Sequence, residues 1–290
     1  MAEGECPSAT SFAMVRSGAG QIAPGSPDDH DYAARMSQAV RHDTEAPEGA
    51  LTLTVLGCDG SWPGPGGACS GYLVRSGETT LLVDAGPGSF ANLQLRMDPA
   101  RLTGVVLSHV HPDHWSDLQG LATHGRFAQA TPRTPLAVLA PDGVARRSGL
   151  ETSPVLAWHT VSDGQVVTVG DISCRFHRTD HVRDTLAVRI EGGGRVLGYS
   201  ADTGPAWSLT ELGTDLDLLL CEATYTAAFE GTADHLSGRQ AGLQARRADI
   251  RRLVLTHRWP TVDAGTLAAE AEAAFGGAVE QAAIGKEFRL

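Results

Sequence analysis

Lysine is almost missing from this 290-residue chain: Lys286 is the only one, and arginine supplies the other positive side chains. With 23 basic residues against 34 acidic ones, the formal net charge is -11. The arginines form no long basic run. A protein that grips a large nucleic acid usually needs a basic patch to neutralise phosphates, so a large nucleic-acid partner is disfavoured, although folding can still gather scattered arginines. The five cysteines are odd in number and lack any C-x-x-C pairing, which argues against a disulfide scaffold and against a cysteine-based zinc site. No apolar run approaches the roughly 20 residues that span a membrane. No basic segment followed by an apolar core opens the chain, so no secretory signal is expected. These absences point to a protein with reduced thiols and no membrane association, with the cytoplasm as the expected location. A hydrophobic content of 42% and a charged content of 20% fit a globular protein with a sizeable core.

The chain divides near residue 50. Residues 1–49 are rich in Ala, Gly, Pro, Ser and acids and read as a flexible N-terminal tail, with one short helix over 31–41. From Leu51 the pattern changes. Residues 51–56 alternate as a strand, 57–71 form a Gly/Pro-rich loop, and 71–75 and 80–83 give two more strands, closed by Asp84-Ala85-Gly86. A helix follows over 89–96, then an apolar strand over 104–108, and 115–127 has helical spacing. The second half is built alike, with strands over 166–169, 172–177, 185–190, 195–199, 217–220 and 252–255 and helices over 237–247 and 264–275. Two strand-dense halves that each turn helical imply one α/β domain over 50–290, two sheets face to face with helices outside.

The apolar strand runs straight into His109-Val110-His111-Pro112-Asp113-His114, which holds three imidazoles and a carboxylate in six residues. Histidine and aspartate suit zinc and similar divalent metals. His109 and His111 alternate, so in an extended segment their rings share a side. Asp113 and His114 follow a proline, where the chain must turn, and so can face a second ion. Three further strands end in ligand-type residues: His181 in Arg178-Thr179-Asp180-His181, Asp202 in Ser200-Ala201-Asp202-Thr203-Gly204, and His257 in Leu255-Thr256-His257. Strand ends of layered α/β folds gather at one edge, where sites form.

The order H-x-H-x-D-H, then His, Asp and His, resembles the metallo-β-lactamase superfamily over about residues 51–290. The resemblance implies the αββα four-layer sandwich of that fold, with a dinuclear metal site on one edge. Carried over by position, His109, His111 and His181 bind a first metal, and Asp113, His114 and His257 a second. Asp202 bridges both, and Asp84 supports the ligands from behind. Such a pair, ~3.5–4 Å apart, supplies hydroxide at neutral pH and steadies the attacking and leaving oxygens, so the implied chemistry is hydrolysis. Nitrogen and oxygen ligands point first to zinc, with manganese or iron also compatible.

Glu222 in Cys221-Glu222-Ala223-Thr224 and His235 in Asp234-His235-Leu236-Ser237-Gly238 look like the glutamate and histidine motifs of the ribonuclease Z-like phosphodiesterase branch. There the carboxylate orients an imidazole that protonates the leaving oxygen. The alternative is an edge glutamate and a helix-capping histidine. Transfer RNA 3′-processing enzymes of the branch carry a substrate arm, commonly between the third histidine motif and the bridging aspartate. Here 20 residues separate His181 from Asp202, filled by a hairpin around Gly192-Gly193-Gly194, which leaves no room for an arm. With the acidic net charge this points to a small substrate. Leu56-Gly57-Cys58-Asp59-Gly60-Ser61, Cys221-Glu222-Ala223 and His235-Leu236-Ser237-Gly238 resemble the actinobacterial atypical class II cyclic-nucleotide phosphodiesterases. The expected substrate is therefore a small phosphodiester such as 3′,5′-cyclic AMP, and the resemblance implies a homodimer.

The chain departs from that pattern in its long tail and in Arg258-Trp259-Pro260 after the last histidine. Trp62, in the Gly/Pro loop, reads equally as a base-stacking residue and as a loop anchor. Rival activities are hydrolysis of a thioester, sulfate ester or lactone, transfer RNA processing, and a non-catalytic module; the last should have lost a ligand position, and all seven are filled. His30, His42, His124, His159 and His177 carry no assignment, and Cys221 reads as a buried core thiol.

Overall fold

Alternation along the strands decides which way each side chain points, and it divides the apolar residues into three layers of contact. The structure, a computed structural model, describes residues 50–128, 134–182 and 184–290. The tail over 1–49, with its expected helix over 31–41 and with His30 and His42, lies outside the described residues.

Strands β1 (Thr52–Gly57), β2 (Gly71–Ser76) and β3 (Thr79–Ala85) run antiparallel. β4 (Gly104–Val106), β5 (Leu136–Ala140) and β6 (Leu156–Thr160) extend them in parallel. β14 (Glu287–Arg289) closes the other side, so the first sheet runs β14-β1-β2-β3-β4-β5-β6. The second sheet runs β13 (Glu280–Gln281), β12 (Leu253–Thr256), β11 (Leu218–Glu222), β10 (Arg195–Tyr199), β9 (Leu186–Gly192), β8 (Ile172–Arg178) and β7 (Val166–Val169). Its β10 to β13 are parallel and its β7 to β10 antiparallel.

Leu53, Val55, Tyr72, Val74, Leu81 and Val83 point from the first sheet into the space between the sheets. There they meet Phe176, Val188, Ile190, Leu197, Leu218 and Leu220 of the second. The intervening Leu56, Leu73 and Leu82 face outward, where α1 (Ser89–Gln94), α2 (Leu118–Phe127) and α3 (Val144–Ser148) cover them with Leu93, Leu118, Leu121 and Val144. On the far side Leu219 and Cys221 pack under α4 (Gly238–Arg247) and α5 (Ala264–Phe275) through Ala241, Ala245, Leu267 and Ala271. Because Leu218 to Cys221 are buried on both faces, that strand reads as an unbroken apolar run. The result is the expected αββα sandwich. Each fully buried leucine contributes about 1.5–3 kcal/mol relative to an exposed one.

The 10-residue α2 begins three residues later than its periodicity suggests, because Pro112–His114 forms a separate 3₁₀ turn ahead of it. The β9–β10 connection is a tight turn: Gly193 (φ 57°) and Gly194 (φ 71°) take left-handed conformations that glycine adopts without strain. No helix among the described residues is long and apolar enough to cross a membrane.

Candidate metal centre

The chain places its candidate ligands just past strand ends along one edge of the sandwich. His109 and His111 follow β4, Asp113 and His114 lie in the 3₁₀ turn, His181 follows β8, Asp202 follows β10, and His257 follows β12 directly. Glu222 is the last residue of β11. Asp84 (φ 54°), Ala201 (φ 51°) and His257 (φ 56°) hold left-handed conformations that side chains normally avoid. Such strain persists only where the surroundings enforce it, and it gathers at functional sites.

Ring nitrogens converge here. His109 Nε2 and His111 Nδ1 are 3.0 Å apart, and His111 Nδ1 lies 3.2 Å from His181 Nε2. A second group forms alongside, with His114 Nε2 3.4 Å from His257 Nε2 and His257 Nε2 3.3 Å from Asp113 Oδ2. Asp202 stands between the two: its Oδ2 is 3.5 Å from His109 Nε2 and 3.3 Å from His114 Nε2, and its Oδ1 is 3.4 Å from His257 Nε2. The donor atoms of His109, His111, His181 and Asp202 lie within 4.8 Å of one another, as do those of Asp113, His114 and His257.

The residues fit divalent cations on three counts. Buried Asp202 Oδ1 has no hydrogen-bond partner. The inward nitrogens face each other, an arrangement that leaves lone pairs unsatisfied unless a cation lies between them. The opposite nitrogens are already engaged: His109 Nδ1 by Ser108 Oγ at 3.0 Å, His114 Nδ1 by Asp84 Oδ2 at 2.8 Å, His181 Nδ1 by the Asp234 carbonyl at 2.8 Å, and His257 Nδ1 by Thr224 Oγ1 at 2.9 Å. Such outer contacts fix which nitrogen carries the proton and free the other to bind metal.

Asp84 is wholly buried and organises several of these groups. Its carboxylate accepts hydrogen bonds from the Ser108 amide (2.8 Å), the Ser108 hydroxyl (2.9 Å) and the Tyr199 hydroxyl (2.6 Å), besides holding His114. Asp84→Asn puts an amide donor where several donors already point. It is expected to weaken metal affinity about 10–100-fold, measured by competition with a chromophoric chelator. Unchanged affinity would reduce Asp84 to a packing role.

Charge within the cluster is polarised. Burial alone raises the carboxyl of Asp202, but His114, His257 and His109 outweigh it and hold the group well below the usual carboxylate range. Asp113 behaves the same way: burial opposes ionisation, and His114 and His257 overcome it. Burial, reinforced by neighbouring His114, lowers His109 and keeps it neutral, the form that donates a lone pair. Ser61 N also donates to Asp113 Oδ2 at 2.9 Å.

Glu222 and His235 meet beside this cluster. His235 Nδ1 is 3.0 Å from Glu222 Oε1, and its ring lies 4.7 Å from that of His181 and 5.3 Å from that of His257, centroid to centroid. Burial pushes the His235 imidazolium toward losing its proton, yet the charge and hydrogen bond of Glu222 lift its pKa to about 9. Glu222 is itself held by the Thr203 amide (2.6 Å), the Thr224 hydroxyl (2.6 Å) and the Leu236 amide (3.2 Å). Ser237 and Gln240 form a capping box at the start of α4, which fixes the backbone two residues beyond His235.

The structure thus brings together all nine expected site residues. It also shows supports that sequence reasoning passed over: Thr224, whose hydroxyl joins Glu222 to His257, Tyr199 on Asp84, and Thr179, which donates to the Asp202 carbonyl at 2.8 Å. Thr224 sits in the same motif as Glu222, the one signal that marks it. His177 lies within β8, His159 within β6 and His124 within α2, away from the cluster. Cys221 is fully buried, and burial next to the Glu222 charge pushes its thiol above the ordinary range, which disfavours a nucleophile.

The family profile "Beta-lactamase superfamily domain" matches residues 79–258. The chain belongs to that superfamily. An uncharacterized Mycobacterium tuberculosis protein, Rv1339, is 35% identical over 254 residues, 83% of this chain and 93% of its own length. The Bacillus subtilis "Probable metallo-hydrolase YhfI" is 33% identical over 245 residues, 81% of this chain and 98% of its own. Its crystal structure, described as a metallo-β-lactamase fold protein, superimposes with a TM-score of 0.77 over 83% of this chain and 99% of that one, at 28% identity. A Mycobacterium bovis ribonuclease Z is 28% identical over 247 residues, 74% of this chain and 88% of its own. The chain is accordingly a metallo-hydrolase of the β-lactamase superfamily with ribonuclease Z relatives, and its His/Asp clusters suit divalent metals.

Proposed function

We propose that this superfamily member is a dinuclear metal-dependent phosphodiesterase that cleaves a small phosphodiester, with 3′,5′-cyclic AMP as the first candidate. The observation that carries the reading is the Glu222–His235 pair beside two ligand clusters that share Asp202. In this reading His109, His111 and His181 hold one ion, Asp113, His114 and His257 hold the other, and Asp202 serves both. Bound there, the ions supply Lewis-acid charge and a nucleophilic water at neutral pH, zinc being our choice for this nitrogen-rich donor set.

The chain's own groups do the rest. Glu222 keeps His235 protonated and aimed, so that an N–H stands ready for the oxygen that leaves phosphorus. Thr224 donates to Glu222 and accepts from His257 Nδ1, which fixes the tautomer that turns His257 Nε2 inward. The two-glycine turn between β9 and β10 offers no long protrusion to hold a large substrate, and the net charge of -11 disfavours one rich in phosphates.

The test is a hydrolysis panel of cyclic AMP, bis(p-nitrophenyl) phosphate and a precursor transfer RNA, run with metal-loaded protein beside a chelated control. Turnover of cyclic AMP that chelation abolishes, with the transfer RNA intact, is expected. A fully metallated protein that cleaves no phosphodiester would overturn the reading and move the search to thioesters, sulfate esters and lactones.

A further inference from the structure

Aromatic rings are sparse in this chain, 6% of its residues, yet three of them cluster at the edge of the ligand site. The loop between β1 and β2 lies directly against that site. A Cβ on Gly60 would meet His257 Nδ1 at 2.9 Å, and Ser61 N donates to Asp113 Oδ2 at 2.9 Å. Trp62 comes next in this loop and leaves 43% of its surface exposed, a large apolar area for a residue so close to buried ligands. Its ring leans on that of Trp259 with centroids 6.0 Å apart and planes at 33°.

Trp259 is the anchored member of the pair. It lies two residues past His257, packs against the core under α4 and α5, meets the Tyr225 ring at 5.5 Å, and donates from Nε1 to Ser61 Oγ at 3.0 Å. Ser61 is therefore held from both sides, by Asp113 and by Trp259, in a left-handed conformation (φ 61°) that a serine adopts only under constraint. One ring is fixed and the other is presented to solvent. The neighbouring cation, Arg258, is turned away, its Nη1 bonded to the carbonyls of Trp259 and Val262.

We propose that the exposed face of Trp62 is a stacking platform for a flat heterocycle, so that the phosphodiester this site takes carries a nucleobase. The proposal rests on the phosphodiesterase reading and narrows its substrate class. Stacking on an aromatic face tolerates any base, since every base has a π-face, and its loss on alanine substitution typically weakens binding by about 5- to 150-fold. Trp62 thus sets a preference for nucleotides over base-free phosphates without reading base identity.

The experiment compares wild type, Trp62→Ala and Trp62→Phe, all metal-loaded, by calorimetric binding of AMP and of ribose 5-phosphate, alongside cyclic AMP hydrolysis. Wild type is expected to prefer AMP by about tenfold. Trp62→Ala should lose most of that preference while still binding ribose 5-phosphate, and Trp62→Phe should keep most of it. An alanine variant that turns over cyclic AMP and retains the wild-type preference overturns the platform and leaves the phosphodiesterase reading standing. Equal weakening toward both ligands, with a lower unfolding temperature, makes Trp62 a loop anchor and also overturns the platform. Wild-type protein that cleaves no phosphodiester and binds AMP no better than ribose 5-phosphate overturns both.

Discussion

His235→Ala is expected to cleave phosphodiesters about 10²–10⁴-fold more slowly than wild type while keeping its full complement of metal. The asymmetry between rate and metal content is the point of the experiment. His235 lies close enough to Asp202 and His257 for its ring nitrogen to serve as a ligand, so proximity alone leaves two roles open. The Glu222 contact at 3.0 Å suits either role, just as Asp84 holds His114 Nδ1 at 2.8 Å, so metal content is what separates them. Metal loss equal to that of Asp113→Ala would assign His235 to the ligands and sink the proton-donor role.

The same pair sets a pH dependence. With the His235 pKa raised to about 9, the donor is present below that value and is lost as pH rises through it, so kcat should fall on the alkaline side. Glu222→Gln removes the charge that raises the pKa and should move that alkaline limb to lower pH. A limb that stays put would show that some other group controls it.

Metal removal should have the second large effect. A cation that binds only the folded chain stabilises it by about 4 kcal/mol when free metal is a thousandfold above its dissociation constant. For a domain of this size each kcal/mol moves the unfolding temperature by roughly 2–4 °C, so chelation should lower it by about 8–16 °C. Differential scanning calorimetry before chelation, after it and after metal is restored would read this directly. In Asp202→Ala, which removes the carboxylate shared by both clusters, the chelator-sensitive part of the transition should largely disappear. An unfolding temperature indifferent to chelation in wild type would contradict a metal centre here.

Much of this site was legible because its ligands are local in sequence or stand at strand ends. His109 to His114 announce themselves in six residues, and His181, Asp202 and His257 each stand just past a strand. Asp84 was visible through the motif that closes β3, although its role as a hub for Ser108, His114 and Tyr199 depends on contacts made across the fold. The roles of Tyr199 and Thr224 are hidden for the same reason, since a hydroxyl inside a strand or beside a motif looks like any other until its partner is known. β5 and β6 carry too few alternating positions between Pro- and Gly-containing stretches to stand out. β13 and β14 have two and three residues, and only their distant partners make them strands. The late start of α2 follows from Pro112, which favours a tight turn where simple periodicity continues the helix.

The placement of those last two strands bears on how the protein folds. β13 adds to one sheet and β14 to the other, where Thr52 pairs with Arg289 and Leu53 with Phe288. The outer edge of β1 therefore finds its neighbour only in a strand far along the sequence. Until that pairing forms, the edge can accept a wrong partner strand. Pairings so distant along the chain are slow to form, so this edge closes late in folding.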